Sequence, residues 1–237
     1  MTCCSTFCAS TQRQFSPRLA ARQLARYRRK GPDATTRMLR DLLTAPGPTS
    51  PTSRTLLDIG AGIGVLTFEL LHAGFEHATA VDASAAFVVA GREEAARQRL
   101  VASINWFEGD FIHLAPRLPL ADVVTLDRVV CCYPAYEPLL TAALERANRA
   151  VGLSYPRDRW YVRAVMALDN GVRRLRRGAF RTFVHAPAGM SALLRASGFQ
   201  LVGRRTTLAW SVDVYTRMNA DSQTSGGSGN GLAVSSV

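Results

Sequence analysis

The chain has 237 residues, 47% hydrophobic and 20% charged, enough for one α/β domain with extensions and a full core. Its net charge of +11 suggests nucleic acid, yet the excess sits in two clusters: nine basic and two acidic side chains in residues 1–45, eight arginines and two aspartates in residues 157–181. The remainder is close to neutral, and no uncharged apolar run reaches the roughly 20 residues of a membrane span, which sets aside an integral membrane segment.

Residues 1–32 lack acids and carry several arginines and serines, the composition of an organellar transit peptide. Against this, Leu19, Leu24 and Tyr27 fall on one helical face, and Gly31 and Pro32 stop that helix. A second helix is expected over 34–43, so residues 1–45 read as a basic helical extension packed over the domain. The break at 44–53, rich in Pro, Gly, Thr and Ser, is the linker into a domain over 54–217. The cysteines are Cys3-Cys4, Cys8 and Cys131-Cys132, which match neither a metal-ligand spacing nor a disulfide framework. Free thiols in a reducing, cytoplasmic compartment are the expectation, with no metal.

The stretch 55–71 organises the rest. Leu56, Leu57 and Ile59 make a short strand buried on both faces, Gly60, Gly62 and Gly64 follow, and a helical pattern starts at Val65. Strand, glycine turn and helix open a nucleotide-binding α/β domain, whose new helix points free N–H groups at a ligand. A dinucleotide fingerprint would need glycine at position 65, so Val65 argues against NAD. The helix runs to about 73 with Gly74 as its stop, and a second strand over 77–81 closes in Asp82-Ala83-Ser84. Asp82 stands where nucleotide-binding folds place a carboxylate on the ribose hydroxyls. A helix over 85–100 and a third strand over 104–107 lead to Glu108-Gly109-Asp110-Phe111. A fourth strand over 121–126 ends at Asp127-Arg128, and such strand ends line the cleft. Then come Cys131-Cys132-Tyr133-Pro134, a helix over 137–150, a fifth strand over 151–154 and a basic helix to about 177. A helix over 187–196 and two strands, 199–205 and 210–217, close the domain. Residues 219–237, full of Ser and Gly, read as a disordered tail.

The pattern Asp58-x-Gly60-Ala61-Gly62-x-Gly64, with Asp82 and Asp110 in order, resembles the class I S-adenosylmethionine-dependent methyltransferases over about 55–217. The resemblance implies a doubly wound, seven-stranded, mostly parallel sheet of Rossmann-like methyltransferase type closed by an antiparallel hairpin, and S-adenosylmethionine as cofactor. It also implies that Asp110 accepts from the adenine amino group and that Phe111 packs on the ring. Ala61, Ala83 and Asp127 complete the expected cofactor set. Arg-Tyr-Arg-Arg-Lys-Gly at 26–31, Asp-Arg-Val-Val-Cys-Cys-Tyr-Pro at 127–134 and Ser-Tyr-Pro-Arg at 154–157 look like a small bacterial branch labelled as similar to magnesium-protoporphyrin O-methyltransferases.

Methyl transfer from a sulfonium is an in-line displacement, so holding donor and acceptor close in a dry cleft is the main task. No Asp/Asn-Pro-Pro-aromatic signature follows strand four, and Cys131 and Cys132 lack the preceding proline of cytosine C5 enzymes, which argues against DNA bases. The expected reaction is methylation of a small molecule at a carboxylate or hydroxyl oxygen. Tyr133, Tyr155, Arg157 and His185 are the acceptor-side candidates, with Arg157 orienting an anionic acceptor. An RNA-associated methyltransferase or a nucleic-acid-binding protein using the basic clusters is the alternative, with no RNA-binding module recognisable to support it.

Overall fold

The computed structural model describes residues 14–45 and 54–218. The expected tail at 219–237, most of the linker, and Cys3, Cys4 and Cys8 lie outside the described residues. Two helices come first. Helix α1 (Pro17–Lys30) starts on a proline, suited to a first turn whose N–H has no partner, and stops at Gly31 with φ 69°. Helix α2 (Ala34–Thr44) starts on Asp33, whose carboxylate accepts from the Thr36 N–H.

The domain alternates strand and helix: β1 (Thr55–Ile59), α3 (Val65–His72), β2 (His77–Asp82), α4 (Ala85–Arg97), β3 (Ile104–Glu108), α5 (Phe111–Leu114), β4 (Ala121–Asp127), α6 (Glu137–Arg146), β5 (Ala147–Pro156), α7 (Trp160–Leu175), α8 (Pro187–Ala196), β6 (Phe199–Thr206) and β7 (Trp210–Arg217). One seven-stranded sheet results, in the order β3-β2-β1-β4-β5-β7-β6, with β7 alone antiparallel to its neighbours. The strand order reverses between β1 and β4, and in open α/β sheets ligands bind outside the carboxyl ends at that point.

Successive side chains of β1 go to opposite faces. Leu56 joins Leu39, Leu43, Phe68, Val212 and Val214, a core shared with α2 and α3. Leu57 and Ile59 join Leu126, Leu140, Leu194 and Phe199 on the other side, with α6 and α8. Helix α1 packs separately: its Ala20 and Leu24 meet Ile63 of the glycine turn and Phe87 of α4. Thus the basic N-terminal helices pack onto the described body, and some of their arginines are anchored. Arg28 reaches the buried Glu94 at 2.7 Å, and Arg40 reaches Glu69 at 2.6 Å.

Several boundaries differ from the sequence expectation. Helix α6 ends at Arg146 and β5 begins at Ala147, four residues early, because Ala147 pairs with Ala121 and the Arg217 guanidinium binds the carbonyls of Ala147 and Asn148. Helix α4 stops at Arg97, followed by Arg99 in the left-handed region. Helix α7 stops at Leu175, where Arg177 (φ 57°) turns the chain.

Candidate active site

Between β1 and α3 the chain makes the turn Gly60-Ala61-Gly62-Ile63-Gly64. A Cβ at Gly60, whose φ is 63°, would lie 2.5 Å from Cγ2 of Val129, so this position excludes a side chain on two counts. At Gly64 (φ 85°) a Cβ would meet the Trp106 indole at 2.7 Å. The turn is pinned from β2. The Ala61 N–H donates to the Val81 carbonyl, and the Gly62 N–H donates to Oδ2 of Asp82 at 2.8 Å. The other carboxylate oxygen of Asp82 accepts from the Ser84 N–H at 2.8 Å.

Above these strand ends lies a cavity of about 430 Å³, within the range of small-molecule sites. Of the residues predicted from sequence, Asp58, Gly60, Ala61, Gly62, Asp82, Ala83, Phe111, Asp127 and Tyr133 line it. Gly64, Asp110, Tyr155, Arg157 and His185 are not among its lining residues. One oxygen of the Asp110 carboxylate, Oδ1, accepts both from the Ile112 N–H at the start of α5 and from the Tyr133 hydroxyl at 2.9 Å. Tyr155 is buried and donates to Asp213 at 2.7 Å. Arg157 binds the Thr207 carbonyl in the β6–β7 turn at 3.0 Å, so it braces that turn and does not face an acceptor in the cavity. His185 holds the carbonyls of Val130 and Tyr133. Burial, reinforced by Asp110, pushes the Tyr133 phenol far above its usual range, and burial with Asp213 does the same to Tyr155. Neither phenol can serve as a general base near neutrality.

Several lining residues carry no sequence signal. Thr36 of α2 donates to Oδ2 of Asp127 at 2.6 Å, and Ser154 donates to its other oxygen at 2.5 Å. Arg128, held at φ 62°, reaches Asp33 at 2.6 Å. The start of α2 thereby clamps the end of β4. Phe15 forms part of the roof, edge-on to both Phe87 and Phe180 at 5.4 Å, with its carbonyl accepting from the Ser84 hydroxyl. On the far wall the Asn170 amide binds both backbone groups of Thr182. Arg173 stacks over Phe180 and pairs through Nη2 with Asp169 at 2.6 Å. Its Nη1 is buried with no hydrogen-bond partner among the described residues. Arg173 thus brings a positive charge to the cavity wall.

Asp58 sits beneath the loop, accepting from Thr67 and Thr125 at 2.7 Å each. Burial raises its pKa to about 7, against the pull of the two hydroxyls, with Asp127 and Asp82 adding to the rise. Burial likewise brings Asp82 to about 6, opposed by the N–H groups of Ser84 and Gly62. A raised carboxyl pKa contributes stability that is full below the unfolded value and is lost as pH rises through the folded one. Asp58→Asn should therefore flatten the decline in stability between about pH 4 and pH 7 by on the order of 1–3 kcal/mol, read from denaturant midpoints at pH 5 and pH 8. Parallel declines in parent and variant would show that Asp58 ionises freely.

Residues 56–152 match a protein family described as a methyltransferase domain. A 68-residue stretch is 37% identical to the ubiquinone/menaquinone biosynthesis C-methyltransferase of Roseobacter denitrificans, covering 28% of this chain and 26% of that protein. Among solved structures, an O-methyltransferase family protein from Burkholderia thailandensis superposes with a TM-score of 0.69 at 17% identity over 90% of this chain and 64% of its own length. Magnesium protoporphyrin IX methyltransferase from Synechocystis PCC 6803, solved with bound S-adenosylhomocysteine, gives a TM-score of 0.56 at 18% identity over 92% of this chain and 90% of its own. The chain thus spans about two thirds of the Burkholderia protein, and its match to the Roseobacter enzyme spans about a quarter of that protein.

Proposed function

We propose that this chain is a class I S-adenosylmethionine-dependent methyltransferase and that it methylates a small-molecule acceptor carrying an anionic group. The observation that carries the proposal is the cavity at the carboxyl ends of β1, β2 and β4, with a glycine turn for its floor and the guanidinium-bearing Arg173 in its wall.

The residues present fit the cofactor. Gly60 leaves room where any Cβ would clash with Val129, so the backbone can approach a ligand closely. Asp82 spends one lone pair on each of two N–H groups and keeps acceptor capacity for ribose hydroxyls. Asp127, fixed by Thr36 and Ser154, offers negative charge to the cationic amino-acid portion. Phe111 offers an apolar surface to the base. Bound there, S-adenosylmethionine supplies an electrophilic methyl group on a sulfonium.

The chain's own part is positioning and exclusion of water. Phe15, Phe87 and Phe180 line the cavity with aromatic surface, which favours exclusion of water around a bound ligand. Arg173 orients the acceptor through its anionic group. A carboxylate oxygen as the methylated atom would need no base, consistent with both candidate phenols being locked in the protonated state. A hydroxyl acceptor would have to find its base elsewhere in the lining.

Titration calorimetry should show S-adenosylhomocysteine binding, with no comparable heat from NAD or from RNA. Tight, steeply salt-dependent RNA binding would favour the RNA-associated alternative instead. Arg173→Ala should raise the acceptor KM by about 10- to 100-fold, the value of one charged hydrogen bond, and leave S-adenosylhomocysteine affinity unchanged. An equal loss of nucleoside affinity would move Arg173 to the cofactor side.

A further inference from the structure

Helix α7 has a single buried residue, Val162, in 16 positions. Its inner stripe is Val162, Met166, Asn170 and Arg173, spaced four, four and three residues apart, and carries the contacts to Phe180 and Thr182. The opposite face should be polar in an ordinary surface helix. Here it is apolar: Trp160 is 80% exposed, Val165 65%, Leu168 70%, Val172 40% and Leu175 85%. At helical spacing these five cover an arc of about 140°. Tyr161 extends the patch through its hydroxyl, which donates to the Leu208 carbonyl at 2.8 Å, and the Leu208 side chain is itself 83% exposed.

The rim of the patch is basic. Arg159, Arg174, Arg176 and Arg177 are all exposed. The two acids of the segment are already paired, Asp158 with Arg163 and Asp169 with Arg173. Charge decides the occupant. A second copy of the chain would bring two arginine-rich rims together, whereas an anionic lipid surface complements the rim and accepts the apolar arc. Exposed leucines with tryptophan and tyrosine at one end, and arginines flanking them, are the composition of a helix that lies in a membrane interface. Among the described residues no helix is long and apolar enough to cross a membrane. We propose that α7, with the β6–β7 turn at Leu208, docks this protein onto the surface of an anionic lipid bilayer. The wall of the cavity that carries Arg173 is then the inner side of the helix that touches lipid.

The test needs neither cofactor nor acceptor, so it stands or falls apart from the methyltransferase reading. The full chain is co-sedimented with vesicles of phosphatidylcholine alone and of equal parts phosphatidylcholine and phosphatidylglycerol. The expected result is at least about tenfold stronger partitioning onto the anionic vesicles, weakened by salt. Replacing Leu168 and Leu175 together by glutamate should abolish it, and Arg174→Glu with Arg177→Glu should lower it about tenfold. All four side chains are exposed and lie outside the cavity lining, so circular dichroism should show both variants folded. Equal partitioning on both vesicle types, no binding, or variants that bind like the parent would overturn the proposal. So would a concentration-dependent dimer in light scattering that the leucine variant dissolves, because the patch would then belong to a second copy.

Discussion

Gly60→Ala should weaken S-adenosylhomocysteine binding by at least about 30-fold while far-UV circular dichroism stays that of the parent. Two costs add at this residue. A left-handed φ of 63° costs an alanine about 1–2 kcal/mol. The new methyl would also meet Val129 Cγ2 at 2.5 Å, and valine is too stiff at χ1 to swing aside, an overpacking cost of about 1–3 kcal/mol. The turn can relieve both only by moving, and moving displaces the Gly62 N–H from Asp82 and the strand end from the cavity floor. The loss therefore falls on ligand affinity, where about 2 kcal/mol already corresponds to roughly 30-fold. Affinity within about threefold of the parent, measured by calorimetry, would show that the cavity floor is not a nucleoside cradle.

Leu39→Ala should lower stability by about 2–5 kcal/mol, the cost of emptying a fully buried leucine site. Leu39 projects from α2 onto the sheet, where Gly152 leaves room for it: a Cβ there would stand 3.0 Å from Cδ2 of Leu39. Val212 and Val214 of β7 belong to the same core, so the cavity left behind is walled by strands that cannot close in. For a domain of this size the melting temperature should fall by about 5–15 °C. Trp160→Ala, at a site 80% exposed, should stay within about 0.5 kcal/mol of the parent in the same assay. If Leu39→Ala melts with the parent, α2 is an appendage and its hold on Asp127 through Thr36 is dispensable.

Local chemistry made the floor of the site legible. Asp58, the glycines and Asp82 are contiguous along one strand–turn–helix unit and its neighbour, where residue type reports backbone geometry directly. The walls were not legible. Thr36, Phe15, Arg173 and Phe180 reach the cavity only because α1, α2 and α7 pack where they do, and an ordinary threonine or phenylalanine gives no hint of that. Arg157 shows the opposite failure. A cation near a helix N-terminus suggested an anion site, yet a carbonyl in the adjacent hairpin binds it. For Asp110 a second signal was present, since an aspartate ahead of a short helix is an N-cap, and its Oδ1 fulfils that local role. The start of β5 at Ala147 was hidden because Arg146 and Ala147 continue a helical pattern. Arg217, 70 residues onward, binds the Ala147 carbonyl and ends it there.

The strand order has a bearing on how the chain is made. Because β7 lies between β5 and β6, the strand formed from residues 210–217 sits inside the sheet, and the leucines of α2 rest on its valines. An emerging polypeptide can assemble its glycine turn early, but α2 finds no finished seat until more than 170 further residues have left the ribosome. Until then Leu39 and Leu43 are unsheltered, a window in which a nascent chain exposes apolar surface to non-native contacts.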